Sequence, residues 1–192
     1  MIEVCAIFAI GPDNVIGIED KMPWHSKQDF YHYKNTTMGY PCLFGDRTFF
    51  GLPKYPQAGR YNIVCNPEYK TEVVDTENGQ YIKVASIEEG IKLAEAFGHK
   101  KIFICGGRSI YKYCLENNFI DTIYLTQVDS DDMIKKITHN PDKYIRFPID
   151  IVKYLNEGWN VEFINYPDAG NNVHLGTSVS KSIPLHFCQK GF

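Results

Sequence analysis

Short apolar runs separated by polar segments mark the predicted strands of this chain. The run at residues 4–10 is continuous and β-prone, which is typical of a strand buried on both faces of a sheet. Similar runs predict five further strands, at residues 42–44, 61–65, 81–84, 101–105 and 123–128. Most neighbouring runs are separated by enough residues for a helix to connect them.

Helix-start signals lie in several of these gaps. Ser26 is suited to cap one helix, and Ser86 with Glu89 forms a capping box before another. The predicted helices span residues 27–37, 46–51, 87–97 and 109–116. Strands that alternate with helices in this way predict an α/β fold, in which a mostly parallel sheet is covered on both faces.

Three segments depart from this alternation. Residues 11–23 are polar and turn-rich. Residues 130–158 are polar and mixed, and we interpret them as an insertion or long loop within a single domain of residues 1–192. In the tail, residues 159–166 and 183–189 predict two long strands joined by a Gly/Asn/Ser-rich connection. These two strands would form an antiparallel hairpin on the sheet edge.

Composition and charge restrict the function classes. Of 192 residues, 44% are apolar and 22% are charged, which is typical of a globular domain with a substantial core. The 20 basic and 23 acidic side chains give a net charge of −3 with no Lys/Arg block, so nucleic acid is not an expected partner. The longest apolar run, at residues 4–10, is too short for a membrane span and follows no basic segment. Membrane and secreted classes are therefore not expected.

The six cysteines favour a reducing compartment. They form no CxxC pair and no His/Cys spacing suited to a metal ion, so no metal site is expected. Most of them lie inside apolar runs, where a reduced thiol behaves as a small hydrophobe. We therefore expect a cytoplasmic protein.

Two glycine turns between a strand and a helix are candidate phosphate sites. Gly106 and Gly107 would let backbone N–H groups approach a phosphate at the start of the following helix, although a tight turn alone would also explain them. Gly45 precedes Arg47 and Thr48 in a similar arrangement. Two such turns on parallel strands suit the two ends of one dinucleotide, because ligands of open α/β sheets lie beyond the carboxyl ends of the strands.

Three polar residues are candidates for substrate chemistry. Asp29 has aromatic residues as its sequence neighbours, and in a dry cleft its pKa would rise and suit proton transfer; an ordinary acid in the first helical turn is the alternative. Arg60 follows a turn and is placed to grip a carboxylate, unless it is a solvated surface residue. Thr126 lies in a β-run, where it is a strand former or a buried hydroxyl that needs a partner.

Taken in order, the motifs of residues 1–148 resemble dihydrofolate reductase. The matching residues are the opening strand, Val15-Ile16-Gly17, Met22-Pro23-Trp24, Asp29, Tyr33-Lys34, Gly45-x-Arg47-Thr48-Phe49, Gly59-Arg60, Cys105-Gly106-Gly107, Ile110-Tyr111, Tyr124-Leu125-Thr126 and Phe147-Pro148. The resemblance implies a mainly parallel sheet of about eight strands. It also implies hydride transfer from NADPH to 7,8-dihydrofolate, with a monomer or small homo-oligomer as the assembly.

The resemblance also implies roles for individual residues. The catalytic residues would be Asp29, Trp24 and Thr126. Asp29 would bind the pterin and support protonation at N5, with Thr126 as its hydrogen-bonding partner. The remaining substrate-binding residues would be Cys5 through its backbone, Phe30, Tyr33, Leu52 and Arg60. The cofactor-binding residues would be Ile7, Ile16, Gly17, Gly45, Arg47, Thr48, Asn66, Cys105, Gly106, Gly107, Arg108, Ser109, Ile110 and Tyr111. Residues 11–23 would form a mobile lid.

The chain departs from the family pattern near the adenosine end of the cofactor. Asp46 stands where many members of the family have a basic residue, and Asn66 and Pro67 stand where small hydroxylated residues are common. Arg47, Arg108 or Lys70 would have to compensate for the missing cation. The preference for NADPH over NADH is therefore less well supported than the reaction.

Two other functions fit parts of the pattern. A related pyrimidine reductase of riboflavin synthesis would share the fold and cofactor, but it should lack the pairing of Trp24 with Asp29. An inactive nucleotide-binding subunit would keep the fold, but it would not need Asp29, Arg60 and Thr126 together.

Overall fold

The computed structural model describes residues 1–18, 21–129, 131–156, 159–168 and 171–181. The strands are β1 (Glu3–Ile10), β2 (Val15–Ile18), β3 (Pro41–Gly45), β4 (Tyr61–Cys65), β5 (Glu72–Thr76), β6 (Gly79–Val84), β7 (Lys101–Ile104), β8 (Thr122–Asp129), β9 (Tyr144–Arg146), β10 (Trp159–Asp168) and β11 (Asn171–Lys181). The helices are α1 (Lys27–Thr37), α2 (Asp46–Phe50), α3 (Ile87–Ala96), α4 (Arg108–Glu116), α5 (Asp131–His139) and α6 (Ile151–Asn156).

The described strands form one large sheet in the order β10-β11-β8-β1-β7-β3-β4-β6-β5. The six strands from β8 to β6 are parallel, whereas β5, β11 and β10 pair antiparallel with their neighbours. The predicted α/β class, parallel centre and antiparallel edge hairpin are confirmed. Within the described residues the sheet has nine strands, in agreement with the expected number of about eight. The polar edge strand β5 was not predicted, because it carries no continuous apolar run.

Alternate residues of the central strands pack on opposite faces of the sheet. One face holds Cys5, Ile7, Cys42, Phe44, Val64 and Phe103, together with Tyr33 of α1 and Phe49 of α2. The other face holds Val4, Ala6, Leu43, Ile63, Ile102 and Ile104, together with Ala94 of α3 and Cys114 of α4. Because both faces are covered by helices, the central strands are buried and almost wholly apolar.

The predicted caps explain where two of the helices begin. The Ser26 hydroxyl accepts a hydrogen bond from the Asp29 amide at 3.1 Å at the start of α1. In α3, Ser86 accepts from the Glu89 amide at 3.1 Å, while the Glu89 carboxylate accepts from the Ala85 amide at 2.8 Å. The capping box is therefore present, although the returning bond comes from the residue before the cap.

The tail differs from its prediction. The first predicted strand of the hairpin is part of β10, but its partner β11 covers Asn171–Lys181, which the sequence indicated as the connection. The second predicted strand, at residues 183–189, lies outside the described residues. Pairing with β8 on its other side explains why the polar β11 is extended, since backbone hydrogen bonds do not require apolar side chains.

Residues 11–23 and 130–158 pair with each other, which the sequence did not predict. The first segment is not all turn, because β2 forms within it and pairs antiparallel with β9. The second is not a long loop, because it contains α5, β9 and α6. The Arg146 guanidinium lies 2.7 Å from the Asp13 carboxylate across this junction.

A small apolar cluster explains why the second segment is ordered. Met133 and Ile137, four residues apart on α5, pack against Val15 of β2 and are buried. Trp24 and Tyr144 pack on the same cluster. The spacing of Met133 and Ile137 is the helical signal that the polar composition concealed. None of the helices described has the length and apolar character needed to cross a membrane.

Candidate active site

The first turn of α1 places Asp29 over β8. Asp29 is partly buried, and its carboxylate is hydrogen-bonded by the side chain of Thr126. Thr126 is only 1% exposed and pairs with Ala9 of β1, so its hydroxyl is held in the centre of the sheet. Each of these two residues thus supplies the partner that the other needs when buried.

Burial raises the pKa of Asp29 above its ordinary value, and the hydrogen bond from Thr126 acts in the opposite direction. A carboxylate shielded from water favours its neutral form, whereas a donor to the charged form stabilises the ionised one. Asp29 is therefore not the exposed first-turn acid that was the alternative interpretation. A buried carboxyl group with a raised pKa is suited to take part in proton transfer.

The Thr126 hydroxyl should limit how far this pKa rises. We expect Thr126→Val to raise the pKa of Asp29 further, because it removes the donor and leaves the burial. The pH dependence of kcat/KM for the reductase activity proposed below would show the change as a shift of its apparent pKa to higher pH. Thr122→Val is the matched control, since Thr122 lies on the same strand and donates to Glu3 at 2.7 Å. An equal shift in both variants would contradict the pairing of Thr126 with Asp29.

Trp24 lies between residues 11–18 and α5. Its ring is 3.1 Å from where a side-chain carbon on Gly11 would stand, and it packs against the cluster of Val15 and Met133. Its indole Nε1 is buried and has no acceptor among the described residues. A buried donor of this kind is rare unless a ligand or solvent atom completes it.

The two glycine turns meet each other directly. The Gly45 amide donates to the Gly106 carbonyl at 2.7 Å, so the ends of β3 and β7 are joined. A side-chain carbon on Gly107 would stand 2.5 Å from the Thr48 hydroxyl, and one on Gly45 would stand 3.1 Å from Ile110. The Gly106–Gly107 peptide bond is cis. Only glycine therefore allows the two turns to pack this closely.

Helix α4 begins immediately after this glycine pair. Gly107 is its N-cap, and no side chain caps its first amides in the described structure. Arg108 and Ser109 are exposed in the first turn, whereas Tyr111 is buried and donates to the Ile7 carbonyl at 2.8 Å. The Tyr111 contact connects α4, which follows the glycine turn, to the middle of β1.

Arg60, which precedes β4, is held against the carboxyl end of α1. Its Nε donates to the Thr37 hydroxyl at 2.8 Å, and its two terminal nitrogens donate to the carbonyls of Ala58 at 3.0 Å and Lys34 at 3.2 Å. Because a guanidinium has five N–H donors, each terminal nitrogen keeps one for a ligand. The Arg60 guanidinium is thus held in one orientation by three hydrogen bonds and is not a freely solvated side chain.

The other predicted substrate residues differ in exposure. Cys5 is buried in β1 between β7 and β8, and Leu52 is partly buried against the same face. Tyr33 packs there too, and its hydroxyl donates to the Gln57 side chain at 2.7 Å. Phe30 is 62% exposed and its ring contacts Tyr31. Phe30 is therefore exposed to solvent and is not part of the buried cluster that holds Cys5, Tyr33 and Leu52.

The remaining predicted cofactor residues fall into two groups. Ile16 and Gly17 lie on β2, where Ile16 packs against the main core. Cys105 lies before the glycine pair, on the face that also holds Cys42, and Asn66 follows β4. Asn66 donates through its side chain to the Asp46 carboxylate.

A comparison with known families identifies the chain. The family model described as dihydrofolate reductase matches residues 3–144. The chain belongs to the dihydrofolate reductase family. The matched region contains every predicted site residue of this dihydrofolate reductase family member, from Cys5 to Thr126, and ends before α6 and the edge hairpin.

Curated relatives agree with this assignment. "Dihydrofolate reductase type 3" of Salmonella typhimurium is 30% identical over 182 residues, which are 93% of this chain and 97% of the relative. The dihydrofolate reductase of Mycoplasma genitalium is 30% identical over 163 residues, 83% of this chain and 92% of the relative. That of Neisseria gonorrhoeae is 32% identical over 129 residues, 67% of this chain and 74% of the relative.

Sequence reasoning missed two polar residues of this reductase-family site. His32, one turn after Asp29, is partly buried and packs near Tyr124, and burial lowers its pKa. Its spacing of three from Asp29 was the available signal, since such residues share a helix face. Gln57 bonds Tyr33 and is oriented by Asn62, which accepts from the Gln57 amide at 2.9 Å. No local pattern indicates these contacts, because Gln57 lies in a loop whereas Tyr33 is on α1 and Asn62 is on β4.

Proposed function

We propose that this chain reduces 7,8-dihydrofolate to tetrahydrofolate by hydride transfer from NADPH. The observation that carries the proposal is the partly buried Asp29, whose carboxylate accepts a hydrogen bond from Thr126. Thr126 lies on β8, in the same sheet as the strands β3 and β7 that lead into the paired glycine turns. The family assignment supports the reaction class. The reduced nicotinamide supplies the hydride when it is bound, so the protein has to bind, orient and exclude water.

The glycine turns fit a dinucleotide. A side-chain carbon on Gly107 would collide with Thr48 and one on Gly45 would be crowded by Ile110, so only glycine lets the two turns pack this closely. The first amides of α4, which no side chain caps in the described structure, would bind the pyrophosphate. Arg47 and Arg108 are exposed beside these turns and would offset its charge. The other proposed contacts of the cofactor are the residues predicted above from β1, β2 and the start of α4. The lid of residues 11–23 would cover it through β2.

Asp29 would anchor the pterin. Its carboxylate would accept hydrogen bonds from a ring nitrogen and the exocyclic amine, and its raised pKa suits proton delivery towards N5. The buried indole N–H of Trp24 would donate to the oxygen side of the same ring. The side chains of Tyr33 and Leu52 would pack against the substrate, and the exposed Phe30 would cover it. The backbone of Cys5 would also contact the pterin.

Arg60 would hold the carboxylate of the substrate's glutamate. Arg60→Lys should raise KM for dihydrofolate by about tenfold, with kcat changed by less than about threefold, because a lysine cannot reproduce the two-point grip. Steady-state kinetics would measure both constants. A dihydropterin without the glutamate is the control, because its kinetics should not respond to the substitution. A fall in kcat with unchanged KM would contradict this role.

Absorbance at 340 nm with NADPH and dihydrofolate tests the proposed function. Consumption that requires both compounds supports it. Oxidation of NADPH only with a ribosylated pyrimidine would instead identify the related reductase of riboflavin synthesis. The pairing of Trp24 with Asp29 argues against that outcome, because the pyrimidine reductase should lack it. A chain that binds the dinucleotide and reduces neither substrate would be an inactive binding subunit.

We further propose a single domain of residues 1–192 that acts in the cytoplasm as a monomer or small homo-oligomer. The continuous sheet from β10 to β5 supports the single domain. The proposed partners are small molecules, with no nucleic acid, membrane or metal ion, on the grounds of charge and cysteine spacing. Size-exclusion chromatography with light scattering would measure the assembly.

A further inference from the structure

The order of the strands determines where the two ends of a dinucleotide would lie. Asp29 and Thr126 are at β8, whereas the paired glycine turns follow β7 and β3, farther along the sheet. With the nicotinamide beside Asp29 and the pyrophosphate at the glycine turns, the adenosine half extends past β3. It therefore reaches the carboxyl end of β4, where Asn66 and Pro67 follow the strand.

A carboxylate occupies this end of the site. Asp46, the first residue of α2, accepts one hydrogen bond from the Asn66 side chain and another from the Arg47 amide at 2.7 Å. Asn66 is itself oriented, since its side-chain oxygen accepts from the Glu68 amide at 2.9 Å. These bonds fix the Asp46 carboxylate at the junction of β3 and β4.

Further carboxylates lie near the end of β4, whereas the exposed Arg47 and Arg108 lie at the glycine turns and would serve the pyrophosphate. Burial and the carboxylates of Glu88, Glu89 and Asp46 together raise the pKa of the Cys65 thiol to about 11, so all three carboxylates lie near the end of β4. Among the described residues, no ion pair neutralises Asp46. A phosphate dianion here would face several carboxylates, whereas a ribose diol would find an acceptor.

An acid at the adenosine ribose is the usual signature of NADH recognition. Such a side chain accepts a hydrogen bond from the ribose 2′-hydroxyl, whereas a basic residue accommodates the 2′-phosphate of NADPH. We propose that the Asp46–Asn66 pair selects a dinucleotide with a free 2′-hydroxyl, so that NADH serves this chain at least as well as NADPH. This inference rests on the proposed function and changes only the donor's 2′ group.

Binding of two cofactor fragments tests the pair without turnover. We expect the full chain to bind ADP-ribose at least as tightly as 2′-phospho-ADP-ribose in calorimetry at low ionic strength. Asp46→Asn should then strengthen binding of the phosphorylated fragment by about tenfold or more, because it removes a repulsive charge. The affinity for ADP-ribose should change by less than about threefold, since the amide oxygen still accepts a hydrogen bond.

Asp75→Asn is the matched control. Asp75 lies on the edge strand β5 and also accepts from a side-chain amide, that of Gln80 at 2.6 Å. It therefore repeats the change in net charge away from the glycine turns, and both affinities should stay unchanged. Equal effects of the two substitutions would overturn the proposal, as would a wild-type preference of about tenfold for the phosphorylated fragment. Failure of both fragments to bind would overturn it as well.

Turnover separates this inference from the proposed function. The kcat/KM of the wild type with dihydrofolate should be at least as high for NADH as for NADPH, and Asp46→Asn should move the ratio towards NADPH. If the fragments bind as expected but neither dinucleotide supports dihydrofolate reduction, the inference stands and the proposed function fails. If reduction proceeds with NADPH alone, the proposed function stands and the inference fails.

Discussion

Asp29→Asn should lower the turnover of dihydrofolate at neutral pH by about 100-fold or more, the usual contribution of a positioned acid or base. The amide keeps the size of the carboxylate, but it neither carries the proton nor matches both donors of the pterin edge. Steady-state kinetics across pH would measure the loss. Near-normal turnover at neutral pH would remove Asp29 from the mechanism.

The same substitution should not weaken the fold. Burial raises the folded-state pKa of Asp29 above its unfolded value of about 4. The folded state therefore binds its proton more readily, and the ionised carboxylate destabilises the fold increasingly as the pH rises from the unfolded to the folded pKa. Asp29→Asn removes this penalty, so its melting temperature at pH 8 should equal or exceed that of the wild type. A lower melting temperature would attribute the lost turnover to unfolding.

Gly106→Ala should abolish most of the dinucleotide affinity. Gly106 has a φ of +108°, which an alanine rarely adopts, and the new carbon would stand 3.2 Å from the Tyr111 ring. A displaced ring would lose its bond to the Ile7 carbonyl, beside the proposed nicotinamide position. We expect binding of NADPH and NADH to weaken by about tenfold or more, the equivalent of one buried hydrogen bond.

Gly98→Ala separates this effect from backbone strain. Gly98 has a φ of +83° but no atom within 4 Å of the added carbon, so it shares the strain and lacks the contact. Its melting temperature should fall by an amount equivalent to about 1–2 kcal/mol, with unchanged dinucleotide affinity. Fluorescence titration with NADPH and thermal unfolding would compare the two variants. Equal affinities in both would contradict a cofactor role for the glycine pair.

The elements predicted with close boundaries are those whose signal is local. β4 spans residues 61–65 as predicted, and α1 begins after the Ser26 cap as predicted. A buried parallel strand reads as a continuous apolar run, and an N-cap bonds an amide three residues away, so both are visible within a short window. β5 and β11 are polar strands stabilised by their neighbours, and no short window contains that information.

The site follows the same division. Asp29, Arg60 and the two glycine turns were each recognisable, and the pairing of Asp29 with Thr126 was expected from the family resemblance. Other contacts join residues that are far apart in the chain. They are the bond between Gly45 and Gly106, the bond from Tyr33 to Gln57 and the pairing of β2 with β9. Nothing in the local sequence specifies them.

The order of apolar runs and caps was sufficient to determine the α/β fold class. The resemblance carried by the ordered motifs indicated the family and singled out Asp29 as the candidate acid. These depend on local propensity and on residue types in sequence. Only the tertiary structure decided that Asp29 is buried enough to raise its pKa and that α5 and β9 support β2. The same is true of the pairing of Asp46 with Asn66 beyond the ends of β3 and β4. Burial, charge proximity and strand order arise from contacts across the sheet, and such contacts exist only once the chain has folded.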